Sequence, residues 1–166
     1  MWIFLNDRFV PEQDAKISVF DHGFLYGDGV YETIRSYGNR IFMRDHHLSR
    51  LQRSADAIGL KIPIPRNEWP RLLHEAMDRN ELGNEQTDAY LRITVSRGAG
   101  EIGLDPALCP TPTVVIMAKP LHPPAAELYQ RGVSLIVART RRNLPSALSP
   151  HIKATNFLNN ILAKRE

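Results

Sequence analysis

The feature that most constrains the fold is a change of hydrophobic period in the first third of the chain. Val30 to Tyr37 alternates apolar and polar side chains, which is the two-residue period of a half-buried strand. Gly38 and Asn39 supply a tight turn, and Arg40 to Met43 return as the second strand of a hairpin. From Leu48 to Ile58 the apolar residues recur every three or four positions, as in an amphipathic helix. This combination predicts an α+β protein.

The same patterns predict the remaining secondary structure. The first helix is expected to begin after Asp45 as its N-cap and to end at Gly59. The other predicted elements are a hairpin over 2–10, a helix capped by Asn67, strands over 89–96, 113–118 and 133–138, and a final helix from about Ala154. No internal repeat is apparent, which argues against solenoid and propeller folds.

A proline-rich stretch marks the expected boundary between two units. Lys119 to Pro124 is stiff and extended, as linkers are. We predict a first, strand-rich unit over 1–119, a linker over 120–125, and the start of a second unit over 126–166. One strand and one helix cannot bury a core alone. The second unit is therefore expected to be covered by the first unit, by a partner chain, or by the continuation of a longer chain.

Composition narrows the class of protein. The 166 residues are 43% hydrophobic with a net charge of +3, which fits a globular protein better than a disordered one. The basic residues are scattered without the charge run of a nucleic-acid tail, and mild basicity fits an anionic small molecule as well as it fits a polymer. Of these two, we expect a small-molecule partner and no nucleic acid. Cys109 is the single cysteine, which leaves no disulfide framework and no cysteine pair for zinc. Neither a signal peptide nor a bilayer-spanning run is apparent. We expect a soluble, cytoplasmic protein with no membrane partner.

Lys153 is the first candidate for chemistry. It lies between Ile152 and Ala154, at the predicted start of the final helix. A helix N-terminus and partial burial both favour the neutral form of an amine, and a neutral amine can attack an aldehyde. Taken alone, a surface lysine is the more frequent situation.

Arg50 is the second candidate. It is expected on the helix face beside the apolar stripe, where a guanidinium could hold a phosphate by two parallel hydrogen bonds. A solvated helix arginine is the more common alternative. The neighbouring pair His46 and His47 would point in different directions on a helix, so no metal site is predicted there.

Two strand residues and one loop complete the local candidates. Tyr90 and Arg92 have the same parity and therefore share one face of their strand, which suits a carboxylate-bearing substrate or an internal acid partner. The glycine-rich loop 97–103 lies between strands instead of opening a helix, so it is not a dinucleotide-binding fingerprint. It either covers a ligand or is a structural turn.

Four stretches of the chain, taken in order, carry a family resemblance. They are 26–35 (YGDGVYETIR), 50–55 (RLQRSA), 90–106 with its loop RGAGEIGLDP, and 152–164 (IKATNFLNNILAK). Together they resemble the branched-chain aminotransferases of the class IV, or fold type IV, aminotransferase family. The resemblance implies the small N-terminal α/β domain of that fold plus the first strand and helix of its large domain. It also implies pyridoxal 5'-phosphate as cofactor and assembly as a homodimer.

The resemblance also assigns roles to single residues. Lys153 is similar to the lysine that forms the internal aldimine and carries a proton between the substrate and the cofactor. Arg50 is similar to the arginine that holds the cofactor phosphate. The residues similar to those of the substrate pocket are Tyr31, Tyr90 and Arg92, and Tyr26, which with the loop 98–104 would reach into the neighbouring site of a dimer.

The activity implied is transfer of an amino group between a branched-chain amino acid and a 2-oxo acid, 2-oxoglutarate. Thr33 stands where branched-chain enzymes often have glycine, and the Glu32-Thr33 pair is shared with D-amino acid aminotransferases and aminodeoxychorismate lyases. Phe157 replaces a frequent tyrosine. Family members continue well beyond this length, so a catalytically silent dimerisation or ligand-binding module is the alternative from another class.

Overall fold

A six-stranded sheet forms the centre of the computed structural model, which describes residues 1–84 and 87–166. The strand order is β2-β1-β6-β5-β3-β4, and the pairings between neighbours are antiparallel. The strands are β1 (Trp2–Leu5), β2 (Arg8–Pro11), β3 (Gly29–Tyr37), β4 (Arg40–Ile41), β5 (Ala89–Ser96) and β6 (Thr113–Pro120). The predicted α+β class is confirmed.

The core lies between one face of this sheet and two helices. The α-helices within the described residues are α1 (His22–Tyr26), α2 (Arg44–Ala57), α3 (Trp69–Asp78), α4 (Ala126–Arg131) and α5 (Leu158–Arg165). Alternate residues of β5 from Ala89 to Val95 are fully buried against α2 and α3, whereas Tyr90 and Arg92 between them are only half-buried. The strand alternation seen in the sequence therefore separates a core face from a second face that carries polar side chains.

The predicted starts of α2 and α3 are wrong by two residues and by one residue. Met43 adopts a left-handed backbone with a φ of 47°, and α2 begins at Arg44, so Asp45 lies in the first turn and is not the N-cap. This early start also shortens the returning strand β4 to two residues. Helix α3 follows Glu68, not Asn67, and no side chain caps it.

The C-terminal part differs most from expectation. The predicted strand 133–138 is wrong: these residues form no ladder, and Leu135 and Val137 are 87% and 92% exposed. A β-prone sequence needs a neighbouring strand to form a ladder, and none adjoins it among the described residues. The final helix α5 begins at Leu158 instead of Ala154, because Ala154 pairs with Val30 of β3.

Five residues separate β6 from the unpredicted helix α4. The division into units at 119 and 126 stays a prediction.

Within the described ranges, none of the helices combines the length and apolar character needed to cross a membrane.

Candidate active site

A short extended segment, residues 153–155, lies along the free edge of β3. The Tyr31 N–H donates to the Lys153 carbonyl at 3.0 Å, and the Thr155 N–H donates to the Gly29 carbonyl at 2.9 Å. Neighbouring strand β4 pairs with β3 only at Ser36 and Tyr37, which leaves this edge open for the segment. Lys153 is therefore held by the sheet and does not stand at a helix N-terminus, so the dipole argument from the sequence is wrong.

Two glycines allow this close approach. Thr155 Oγ1 donates to the Gly27 carbonyl at 2.8 Å. A Cβ atom built on Gly29 would lie 2.8 Å from the Val95 carbonyl oxygen and 3.2 Å from Thr155 Oγ1, and one on Gly27 would lie 3.1 Å from Asn156 Cβ. Gly27 also has a φ of +70°, which side chains with a Cβ rarely adopt. Side chains at these two positions would push the segment away from β3.

The Lys153 amine contacts a buried tyrosine. Lys153 Nζ donates to Tyr31 Oη at 3.0 Å and lies 4.1 Å from the centroid of the same ring. The Arg92 guanidinium carbon lies 4.3 Å from that centroid, and the Phe157 ring is 5.0 Å away. Because Tyr31 is only 9% exposed, its ring is a fixed contact for both cations.

Arg50 is oriented by a carboxylate on the core side of β3. The Glu32 side chain is fully buried, and its carboxylate accepts hydrogen bonds from Arg50 Nε, from Arg50 Nη2 at 2.8 Å and from His47 Nδ1 at 2.9 Å. Burial raises the pKa of Glu32, but the hydrogen bonds and charges of Arg50 and His47 outweigh burial and hold the pKa below its ordinary value. The hydrogen bond to Glu32 raises the pKa of Arg50.

Arg50, Tyr31 and Lys153 line one cleft of about 420 Å³, a volume within the range of small-molecule sites. Arg142 and His151 add basic groups to its lining, and in the described part of the chain no acidic side chain lines it. The described hydrogen bonds of Arg50 use Nε and Nη2 and leave Nη1 unused. This donor set fits an anionic group such as a phosphate.

The structure therefore brings three of the candidate residues into the cleft and leaves others outside. Arg92 does not line the cleft, although its guanidinium stacks on the Tyr31 ring. Tyr90 does not line it either and pairs with Arg35 and Lys119 across the sheet. Tyr26 also lies outside the lining.

Tyr26 belongs to a different contact region. Its hydroxyl accepts a hydrogen bond from the Gly103 N–H at 3.2 Å, and the neighbouring His22 ring bonds the Glu101 carbonyl at 2.9 Å. Tyr26 and the loop 98–104 thus lie together, and the family resemblance had grouped them. Their role across a dimer stays a prediction.

Sequence reasoning missed two hydroxyl side chains. Ser54 Oγ accepts the Lys153 N–H at 3.1 Å, and Thr155 anchors the segment to the Gly27 carbonyl. Ser54 is one helical turn from Arg50, so its shared face with Arg50 could have been read from spacing. Nothing local in the sequence indicates the pairing of Thr155 with β3.

The family model for Amino-transferase class IV matches residues 29–166. The chain belongs to the class IV aminotransferase family. Among curated relatives of this class IV chain, a Methanocaldococcus jannaschii protein with the provisional name branched-chain-amino-acid aminotransferase is 43% identical over 164 residues, covering 99% of this chain and 54% of that protein. The aminodeoxychorismate lyase of Bacillus subtilis is 34% identical, with 99% and 54% covered. A D-alanine aminotransferase of Staphylococcus epidermidis is 37% identical, with 98% and 55% covered.

Solved structures agree with the family. The branched-chain amino acid aminotransferase of Escherichia coli matches with a TM-score of 0.89 and 27% identity, covering 99% of this chain and 56% of that one. The branched-chain aminotransferase of the archaeon Thermoproteus uzoniensis matches with a TM-score of 0.85 and 32% identity, covering 99% and 55%. A further branched-chain amino acid aminotransferase, solved with pyridoxamine 5'-phosphate, matches with a TM-score of 0.89 and 28% identity, covering 99% and 54%. The class IV chain thus has the fold of the N-terminal part of fold type IV aminotransferases, and it spans about half the length of these relatives.

Proposed function

We propose that this chain provides the lysine and part of the phosphate site of a pyridoxal 5'-phosphate-dependent aminotransferase. The observation that carries the proposal is the placement of the Lys153 amine and the Arg50 guanidinium in one cleft without an acidic lining residue among those described. An amine that can add to an aldehyde and a cation that can hold a phosphate are the two groups this cofactor requires of its site.

The residues of the cleft have separate proposed roles. When bound, pyridoxal 5'-phosphate would supply an aldehyde for amines and a conjugated ring that accepts electrons. Arg50 Nη1 would donate to the phosphate while Glu32 keeps the guanidinium oriented through Nε and Nη2. Lys153 Nζ would take the proton from the α-carbon of the amino acid and return it. Tyr31 Oη, at 3.0 Å, orients that amine.

The first candidate substrates are a branched-chain amino acid and 2-oxoglutarate. The branched-chain relatives and the E. coli structure support this assignment. Arg92 supports recognition of a substrate carboxylate, because it stacks on the Tyr31 ring and forms no ion pair within 1–84 and 87–166. Tyr90 and Tyr26 do not line the cleft. They would join the substrate pocket only if further groups extend the cleft toward them.

A D-amino acid aminotransferase or an aminodeoxychorismate lyase is the second candidate. The Glu32-Thr33 pair and the relatives with those two names support it. Kinetic comparison of L-leucine, D-alanine and aminodeoxychorismate as substrates distinguishes the candidates, since a single one should give the highest kcat/KM.

We also propose that the protein acts as a homodimer in the cytoplasm. Phe24, Ile102 and Leu104 are more than 70% exposed in the region formed by α1 and the loop 98–104. Exposed apolar side chains of this size within one region are typical of a surface that a partner covers.

Absorbance of the purified chain with added pyridoxal 5'-phosphate tests the proposed function. The wild type should develop the visible band of a lysine-linked cofactor, and borohydride should abolish the band and fix the cofactor to the peptide that contains Lys153. Lys153→Ala should lose the band, whereas Lys61→Ala, at an exposed lysine outside the cleft, should keep it. No band in the wild type would favour the silent module, and a band in Lys153→Ala would exclude Lys153 as the attachment site.

A further inference from the structure

Ser54 is a buried hydroxyl group that connects helix α2 to the lysine segment. It is 2% exposed, and its Oγ accepts the hydrogen bond of the Lys153 N–H at 3.1 Å. The Lys153 carbonyl and the Thr155 N–H of the segment bond to β3 instead. Ser54 is therefore the contact that fixes Lys153 to a helix, in addition to the sheet.

The position of Ser54 within α2 links the two groups proposed for the cofactor. Arg50 and Ser54 are four residues apart, so they lie on the same face of α2, one turn from each other. Arg50 donates to the carboxylate of Glu32 on β3, and Ser54 Oγ accepts the backbone N–H of Lys153. One turn of a rigid helix thus spans from the guanidinium to the residue that carries the amine.

We infer that Ser54 is a positioning residue: its hydroxyl holds the Lys153 backbone so that a single turn of α2 sets the separation between the Lys153 amine and the Arg50 guanidinium. The inference rests on the proposed function, because that separation matters only for a ligand that contacts both groups. A cofactor with an aldehyde at one end and a phosphate at the other is such a ligand.

Loss of the Ser54 hydroxyl should loosen Lys153 without unfolding the sheet. Ser54→Ala leaves the Lys153 N–H without its acceptor, while the two backbone bonds of the segment to Tyr31 and Gly29 remain. The Lys153 amine would then keep its contact with Tyr31 Oη for a smaller fraction of the time. Ligands that need the amine and Arg50 at a fixed separation should bind more weakly.

Ser36→Ala is the matched control. Ser36 is fully buried, and its Oγ also accepts a backbone N–H, that of Ala89 at 2.8 Å, at the opposite end of β3. Both variants delete one buried serine hydroxyl that accepts one backbone hydrogen bond, and their losses of stability should be similar. Ser36 does not line the cleft, so it reports the effect of general destabilisation.

The first measurement is the dissociation constant of pyridoxal 5'-phosphate, from titration of the visible band. We expect Ser54→Ala to raise it about tenfold, equivalent to about 1.4 kcal/mol, and Ser36→Ala to leave it within about twofold. Ser54→Thr, which keeps a hydroxyl, should recover most of the affinity. Equal dissociation constants for Ser54→Ala and Ser36→Ala would overturn the inference.

The second measurement needs no cofactor. Trace acetylation of the cofactor-free chain, read by mass spectrometry, compares Lys153 with the exposed Lys61 in the same molecule. Ser54→Ala should raise the Lys153-to-Lys61 labelling ratio by up to about tenfold, as the open population grows, and Ser36→Ala should not change it. An unchanged ratio in Ser54→Ala would overturn the inference even for a chain that binds the cofactor. If the wild type forms no band but Ser54→Ala still raises the labelling ratio, the inference is supported while the proposed function fails.

Discussion

Replacement of Glu32 by glutamine should lower the free energy of unfolding by more than the same replacement at an exposed glutamate. The Glu32 side chain is fully buried, while its partners Arg50 and His47 have side chains that are 45% and 21% exposed. Breaking a buried ion pair costs about 3–5 kcal/mol and an exposed one about 0–1. Because the Arg50 side of the pair is partly solvated, we expect a loss of about 2 to 3 kcal/mol for Glu32→Gln at neutral pH.

The pH dependence of this loss follows from the lowered pKa of Glu32. Between that lowered pKa and the ordinary value of 4.5, the unfolded chain binds more protons than the folded chain. The stabilisation from the Glu32 carboxylate is therefore complete above about pH 4.5 and disappears as the pH falls through the folded-state pKa. The difference in unfolding free energy between wild type and Glu32→Gln should shrink in the same direction.

Urea unfolding followed by circular dichroism measures this difference at neutral pH and at several values below pH 4.5. Glu68→Gln is the control, since Glu68 forms an exposed pair with Arg71, and we expect it to cost less than about 0.5 kcal/mol. Equal losses in Glu32→Gln and Glu68→Gln at neutral pH would refute the buried-pair reasoning. A difference that grows as the pH falls would refute the assigned direction of the pKa shift.

Two further substitutions test the cleft and its frame. Arg50→Ala should weaken pyridoxal 5'-phosphate binding by about 1.5 to 3 kcal/mol, the range for charge-assisted hydrogen bonds; an unchanged titration of the visible band would exclude Arg50 from the phosphate site. Arg97→Ala should lower the free energy of unfolding by about 3 kcal/mol, because the buried guanidinium joins Asp28 to the Ile58 and Gly59 carbonyls. Thermal unfolding measures it, and a melting temperature equal to that of the wild type would show that the guanidinium contributes little.

The individual strands of the sheet could be predicted from the sequence, whereas their order in the sheet and the ends of the helices could not. Strand β5 is reproduced residue for residue because its alternation of apolar and polar side chains reports directly which face is buried. The start of α2 depends on the left-handed backbone of Met43, a residue type that gives no warning of it. The strand predicted over 133–138 is a different kind of error. Its residues have high β-propensity, but no neighbouring strand among the described residues pairs with them.

The candidate site was predictable in part. The family resemblance located Lys153 and Arg50, and the structure places both in one cleft. The local argument for Lys153 was wrong, because it assumed a helix that begins only at Leu158. Ser54 and Lys153 are 99 residues apart, and contacts over such distances leave no periodic trace in a single sequence.

The attachment of residues 153–155 to β3 has a consequence for biosynthesis. Tyr31 and Lys153 are separated by 122 positions, so the ribosome releases β3 long before its edge partner. The nascent chain thus passes through a stage in which the unpaired N–H and C=O groups of β3 can pair with another polypeptide. Once residues 153–155 have left the ribosome and paired with β3, that edge is closed and the Lys153 amine lies at Tyr31, so one pairing step protects the sheet and places the proposed reactive group.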